Sequence, residues 1–181
     1  MQTEADPQIR PIVPGDNPAV AGIIRVVMTE FGAVGEGYSI EDPEVDTMFE
    51  AYYRPGAEFW VVELDGEVLG CGGYAPLKGG ESDTCEIQKM YFLDTLRGRG
   101  LGSTLLRRCI EAARDAGYRL CYLETLESMD AARRLYRHYG FEDRNAPLGA
   151  TGHCGCDRWM VLDLTAEAGA GAGASEGDGD G

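Results

Sequence analysis

The sequence predicts an α/β (α+β) chain on three observations. Amphipathic helical stretches alternate with short β-rich runs along its length. An Asp65-Gly66 pair sits between two such runs, a strong short-range hairpin signal. Residues 86–116 place a strand, a glycine-rich turn and a helix end to end.

In chain order, residues 9–13 read as a first strand. Pro14-Gly15-Asp16 leads into a helix over 18–30, with Val20, Ile23, Ile24 and Val27 as its apolar face. Residues 31–39 carry three glycines and read as a loop. Asp42-Pro43-Glu44 starts a second helix with Val45, Met48, Phe49 and Tyr52 as its stripe, and Pro55-Gly56 stops it. Residues 58–74 form the hairpin. Gly70, Gly72 and Gly73 in its second arm signal a bulge or a close backbone approach. Residues 75–84 are a polar loop. After the central stretch come a strand over 120–126 and a helix that Ser128 caps and Gly140 ends. A glycine-proline loop over 145–155 and a last strand over 159–164 follow. Residues 1–165 read as one domain. Residues 166–181, AEAGAGAGASEGDGDG, hold no large apolar side chain and are left out of the fold as a disordered tail.

The central stretch reads EIQKMYFLDTLRGRGLGSTLLRRCIEAARDA. Its helix puts Leu101, Leu105, Cys109, Ile110 and Ala113 on one stripe, and Gly117 closes it. The first N–H groups of a helix lack intrahelical partners, and glycines let a ligand approach the backbone. A glycine turn feeding a helix N-terminus is therefore an anion cradle. Charge agrees. The chain has 31 Asp+Glu against 16 Lys+Arg, yet residues 95–110 hold no acid and four arginines, Arg97, Arg99, Arg107 and Arg108. The helix arginines alone would suit a solvated face. Gly98, Gly100 and Gly102 turn the balance toward a phosphorylated ligand, since three glycines weaken a helix start that has no other use. The P-loop pattern and the dinucleotide fingerprint are both absent.

A length of 181 residues and 44% apolar content suit one globular domain large enough to bury a substantial core. The polar, acidic N-terminus is not a signal peptide, and no run is long enough to span a bilayer. Six scattered cysteines form no disulfide framework, so the expected location is cytoplasmic. A net charge of −15 argues against nucleic acid and anionic membranes as partners. Only Lys78 and Lys89 break an otherwise all-arginine set of cations. An acidic proteome or a cationic amine substrate would each give that balance.

The turn itself is R-x-x-G-x-G, Arg97 to Gly102. Before it stands Met90-Tyr91-Phe92, and after it the long helix, the strand over 120–125 and A-x-x-L-Y-x-x-x-G-F from Ala132 to Phe141. This ordered set over residues 86–144 resembles the acetyl-CoA-binding core of the GNAT acetyltransferase superfamily. The resemblance implies a mixed, mostly antiparallel twisted sheet of six or seven strands flanked by about four helices. It implies transfer of an acetyl group from acetyl-CoA to a primary amine by direct attack in a ternary complex. The amides of Gly98, Arg99, Gly100, Leu101, Gly102 and Ser103 would hold the pyrophosphate, with Arg97 and Arg99 near. The pantetheine arm would lie beside the strand of Met90, Tyr91 and Phe92, where a backbone N–H polarises the thioester.

Two catalytic side chains follow from the same resemblance. Glu86, eleven residues before Arg97, stands where some members carry a general base; the alternative is a strand-edge ion pair. Tyr136 matches the tyrosine that protonates the departing thiolate; the alternative is a core aromatic. One departure is Met129, seven residues before Tyr136, where many members have Asn. No metal is expected: His153, Cys154, Cys156 and Asp157 lack a second ligand pair for zinc. His153 or Asp157, and Glu36, Tyr38 or Tyr53 in the early loops, are candidate acceptor contacts. A non-catalytic acyl-CoA-binding module and a transferase for longer acyl groups are the other readings. Homodimers are common in the superfamily. The acceptor amine, small molecule or peptide, stays open.

Overall fold

A computed structural model describes residues 6–166, so the expected tail lies almost wholly outside the described residues. One seven-stranded sheet runs through them in the order β1-β2-β3-β4-β5-β7-β6. The strands are β1 (Gln8–Pro11), β2 (Glu58–Leu64), β3 (Glu67–Pro76), β4 (Thr84–Phe92), β5 (Leu120–Thr125), β6 (Glu142–Arg144) and β7 (Arg158–Asp163). Every neighbouring pair is antiparallel except β4 and β5. The helices are α1 (Asn17–Glu30), α2 (Met48–Tyr52), α3 (Leu101–Asp115) and α4 (Asp130–His138). No described helix is long and apolar enough to cross a membrane.

The helices cover both faces, and strand alternation sorts the core into two layers. Trp60 and Val62 pack with Tyr74, Cys85, Ile87 and the buried stripe of α3, Leu105, Leu106, Cys109, Ile110 and Ala113. Phe59 and Val61 point the other way, onto Val20, Ile23, Ile24 and Val27 of α1. Asp65 and Gly66 both take positive φ, 53° and 81°, as the tight hairpin turn requires.

Three details differ from the sequence reading. The second helix is broken: a 3-10 turn over Pro43–Asp46 and then α2. Asp42 does not cap it, because its carboxylate is bound elsewhere. Ser128 makes no cap either, and α4 starts two residues later. The short edge strand β6 has no apolar alternation, and its three residues are all exposed, so no pattern announced it.

The glycines of β3 mark real crowding. A Cβ on Gly70 would meet the Phe92 ring at 2.6 Å, and one on Gly73 would meet the Glu58 carbonyl oxygen at 2.2 Å. The second contact is with backbone and cannot be relieved by a rotamer change. Gly73→Ala is therefore expected to lower stability by ~1–3 kcal/mol, the usual cost of overpacking. Urea unfolding of the two proteins measures it; an unchanged midpoint would show that β2 and β3 have room to part.

Candidate active site

The site begins where β4 and β5 separate. They pair at Thr84↔Leu120, Cys85↔Cys121 and Glu86↔Tyr122, and no further. Beyond that point β5 stays paired with β7 along its whole length, while β4 follows β3. A bulge in β4 drives the parting. Between Cys71↔Tyr91 and Gly73↔Gln88 the register slips, so Lys89 and Met90 together oppose Gly72. Lys89 takes φ 52°, and Met90 Cα would lie 3.1 Å from a Cβ on Gly72. The inserted residue also reverses the alternation. Cys85 and Ile87 face α3; after the bulge it is Met90 and Phe92 that do so, and Tyr91 turns to the α1 side.

Below the parting lies an open cleft of about 590 Å³, lined among others by Met90, Tyr91, Phe92, Arg97, Gly98, Gly100, Leu101, Gly102, Ser103 and Tyr136. Gly98 and Gly100 adopt φ 74° and 75°, which curl the chain into α3. The amides of residues 98–103 donate to no acceptor among the described residues, and the first intrahelical bond runs from Thr104 N to Gly100 O. Those N–H groups are free donors of the kind an anion cradle needs.

The two arginines expected near the turn differ in placement. Arg97 Nε donates to Phe92 O at 2.9 Å, and its two terminal nitrogens bind Glu30 at 2.5 and 2.8 Å. Its guanidinium also lies 5.8 Å from the Phe31 ring centroid. Arg97 thus lines the cleft while fastening the end of β4 to the end of α1. Arg99 is exposed and does not line the cleft. Arg134 and Ser128 do line it, from the α4 side.

Above the parting is a second, narrow cavity of about 70 Å³. The two meet at Met90, Tyr91, Met129, Ala132 and Tyr136, which line both. Tyr136 is 8% exposed, its hydroxyl has no hydrogen-bond partner among the described residues, and burial pushes its pKa up to about 12. Glu86 is 3% exposed. Burial raises its pKa from 4.5 to about 7, with Glu124 adding to the rise and Gln88, His153 and Lys89 opposing it. Gln88 Nε2 donates to Glu86 Oε2 at 2.6 Å, and Tyr52 donates to Gln88 Oε1. Glu86 Oε1 has no partner among the described residues.

Four charges of alternating sign run beside Glu86. Lys89 Nζ binds Asp42 Oδ2 at 2.6 Å, His153 Nε2 stands 2.9 Å from Asp42 Oδ1, and His153 Nδ1 stands 3.2 Å from Glu124 Oε2. Tyr122 and Thr151 hydroxyls donate to Glu124 at 2.8 and 3.0 Å. The hydrogen bonds to Asp42 and Glu124 raise the His153 pKa from 6.5 to about 10 despite its burial. Burial pulls Asp42 upward, but His153 and Lys89 outweigh it and hold the carboxyl below its ordinary value. The chain Lys89–Asp42–His153–Glu124 ties the bulge, the loop before α2, the loop before β7 and β5 together around one cavity.

His153, singled out from the sequence, is therefore a bridge between two carboxylates. Asp157 instead accepts from Glu127 N at 2.9 Å, outside the cavity. Tyr53 is exposed and stacks on Phe49; Glu36 is exposed; Tyr38 packs over Gly155 in the roof. None of the three lines the cavity. Asp42, Lys89 and Glu124 were given no place in the site from the sequence. Glu124 carried a signal, since it alternates with the core residues Cys121 and Leu123 in an apolar strand. Glu86, Glu124 and His153 also present three ligand atoms within 4.8 Å of one another, the group among the described residues that could hold a metal ion. The residues around His153 are not that group: its Nδ1 reaches Glu124 across the sheet, not Cys154 or Cys156.

Residues 20–141 match the family model described as Acetyltransferase (GNAT) family. The chain belongs to the GNAT acetyltransferase family. It is 46% identical over 159 residues to the uncharacterized N-acetyltransferase YjgM of Escherichia coli, covering 87% of this chain and 95% of that one. It is 30% identical over 138 residues to the IAA acetyltransferase of Azospirillum brasilense, covering 76% and 87%. Among solved structures, yncA of Salmonella typhimurium, determined with its cofactor acetyl-CoA, superposes with a TM-score of 0.72 at 21% identity over 91% of this chain and 97% of that one. The two cavities of this N-acetyltransferase meet at the gap between β4 and β5.

The ionic chain makes a sign-definite prediction. A histidine whose folded pKa exceeds its unfolded one stabilises fully below the unfolded value and loses that contribution as pH climbs toward the folded one. His153→Gln is expected to destabilise most at pH 6 and progressively less toward pH 10. Urea unfolding at pH 6, 8 and 10 checks this; a difference constant across the range would assign His153 to packing alone.

Proposed function

We propose that the chain moves an acetyl group from acetyl-CoA to a primary amine by direct attack within a ternary complex. The observation that carries this reading is the parting of β4 and β5 after Glu86↔Tyr122, with one cavity on each side and Tyr136 at the junction. Acetyl-CoA fits the lower cleft on chemical grounds. Its pyrophosphate would take the free amides of Gly98, Arg99, Gly100, Leu101, Gly102 and Ser103. Arg97 would hold the cradle's shape, and Arg134 is the cation in the cleft left to meet phosphate. The pantetheine amides would pair with the backbone of Met90, Tyr91 and Phe92 that the gap leaves open. An N–H there would polarise the thioester carbonyl.

The acceptor enters the upper cavity as an ammonium and must lose a proton to become a nucleophile. Glu86 is the base, directly or through one water. With a pKa near 7 it is about half ionised at neutral pH, where a general base works best. Collapse of the tetrahedral intermediate expels the thiolate, and Tyr136 donates its proton. A hydroxyl held near pKa 12 stays protonated across the working range.

Calorimetric titration tests the donor half. Acetyl-CoA is expected to bind the wild-type protein with micromolar affinity and Gly100→Trp at least tenfold more weakly, because the indole would cover the cradle. No binding to the wild type sinks the reading.

Glu86→Gln tests the acceptor half. A tenfold to ten-thousandfold fall in kcat/KM is expected, the range for a lost general base. The wild-type acid limb near pH 7 should vanish with it. The same substitution should stabilise the fold. Between pH 4.5 and about 7 the native state holds a proton that the unfolded state has lost, so stability falls with rising pH through that window. Above pH 7 the removed penalty is up to about 3 kcal/mol. A variant that is both active and no more stable would return Glu86 to a structural role.

A further inference from the structure

We infer that the acceptor is a small primary amine carrying no carboxylate, and that Glu124 sets this preference. The inference rests on the transferase reading above and narrows its acceptor. Three observations support it.

The first is size. The upper cavity holds about 70 Å³, roughly half of the engineered apolar cavity that takes up one benzene. An amine of about four heavy atoms fills it. Two loops fastened to each other flank it, with Gly155 N donating to Gly37 O at 2.9 Å and His153 joined to Asp42. A peptide would have to pass its N-terminus between those tied loops to reach Tyr136.

The second is the state of the cations. An amino acid or an acidic amine brings a carboxylate that must be paired when buried. The described cavity has two cationic side chains. Lys89 is ion-paired with Asp42 at 2.6 Å and Glu44 at 3.6 Å, and both ring nitrogens of His153 stand against carboxylates. Both charges are already compensated by carboxylates, so neither brings an unpaired positive charge to a substrate carboxylate.

The third is the state of the anions. Glu86 Oε1 faces the cavity without a partner among the described residues, beside the carboxylate of Glu124, which is 4% exposed. An ammonium there meets one unpaired carboxylate oxygen and the field of a second carboxylate, while a second anion meets repulsion from both. Glu124 touches the acceptor's cationic head and is fixed for that task by Tyr122, Thr151 and His153. It is a specificity-determining residue, distinct from the base.

The test measures thiol release from acetyl-CoA with ethanolamine, propylamine, glycine and a tripeptide with a free N-terminus. Ethanolamine and glycine have amines of similar basicity, so their comparison isolates the carboxylate. Ethanolamine and propylamine are expected to show kcat/KM at least tenfold above glycine and the tripeptide. Glu124→Gln is expected to raise KM for ethanolamine at least fivefold, more than it lowers kcat, and to narrow the gap to glycine. Acetyl-CoA titration and the thermal midpoint of the variant establish that it is folded and loaded. Glycine or the tripeptide used as well as ethanolamine overturns the inference, as does an unaltered KM in a folded Glu124→Gln protein. Acetyl-CoA binding without release from any of the small amines overturns it too, and leaves the transferase reading intact. Absence of acetyl-CoA binding removes both.

Discussion

The bulge at Lys89 and Met90 is the constraint on which the rest of the structure depends. One extra residue in β4 turns the strand away from β5 after three parallel pairs. Without it β4 and β5 would zip together, and the middle of the sheet would hold no gap for a ligand. Its cost is a non-glycine residue in the left-handed region, a conformation disfavoured by ~1–2 kcal/mol. Two features offset that cost. Gly72 opposite leaves room for the extra backbone, and the Lys89 ammonium is held by Asp42 and Glu44. The same ion pair that steadies the bulge begins the charge chain around Glu86, so strand geometry and active-site electrostatics are one device.

That device resolves a tension in the upper cavity. A useful base must be buried enough to have a pKa near 7, and burial of a carboxylate destabilises the fold. Glu86 sits beside Glu124, whose charge pushes it higher still. His153, protonated because it bridges two of them, returns positive charge to the cavity. Alternation of sign along Lys89, Asp42, His153 and Glu124 keeps four low-exposure charges paired. Glu86 is left as the carboxylate with an unpartnered oxygen, the feature on which its proposed role as base rests.

Local patterns were legible in the sequence because their physics is local. The hairpin at Asp65-Gly66, the stripe of α3 and the turn at Gly98 and Gly100 each follow from a few adjacent residues. The family resemblance over residues 86–144 carried the sheet and marked Glu86 and Tyr136, and the structure brings both to the upper cavity. What stayed hidden depends on residues far apart in the chain. Asp42 and His153 are 111 positions apart, and no spacing rule joins them. The bulge was missed as well: Gln88-Lys89 puts two polar residues in succession where alternation would place an apolar one, a break too short to tell a bulge from a strand end.

Arg97 shows how a side chain beside a motif can be engaged by the protein itself. A cation beside a glycine turn in an acidic chain invites a phosphate partner. In the structure that guanidinium is already spoken for by Glu30 and the Phe92 carbonyl. Exchanging the bidentate carboxylate for a phosphate would undo the tie between the end of β4 and the end of α1. Backbone amides do not have this conflict. Their direction is fixed by φ at Gly98 and Gly100, they have no competing acceptor, and they remain in place whether or not an anion is bound. In the proposed mode of binding, a cradle made of amides and propped open by an arginine would hold its shape before the ligand arrives and leave little ordering to be done.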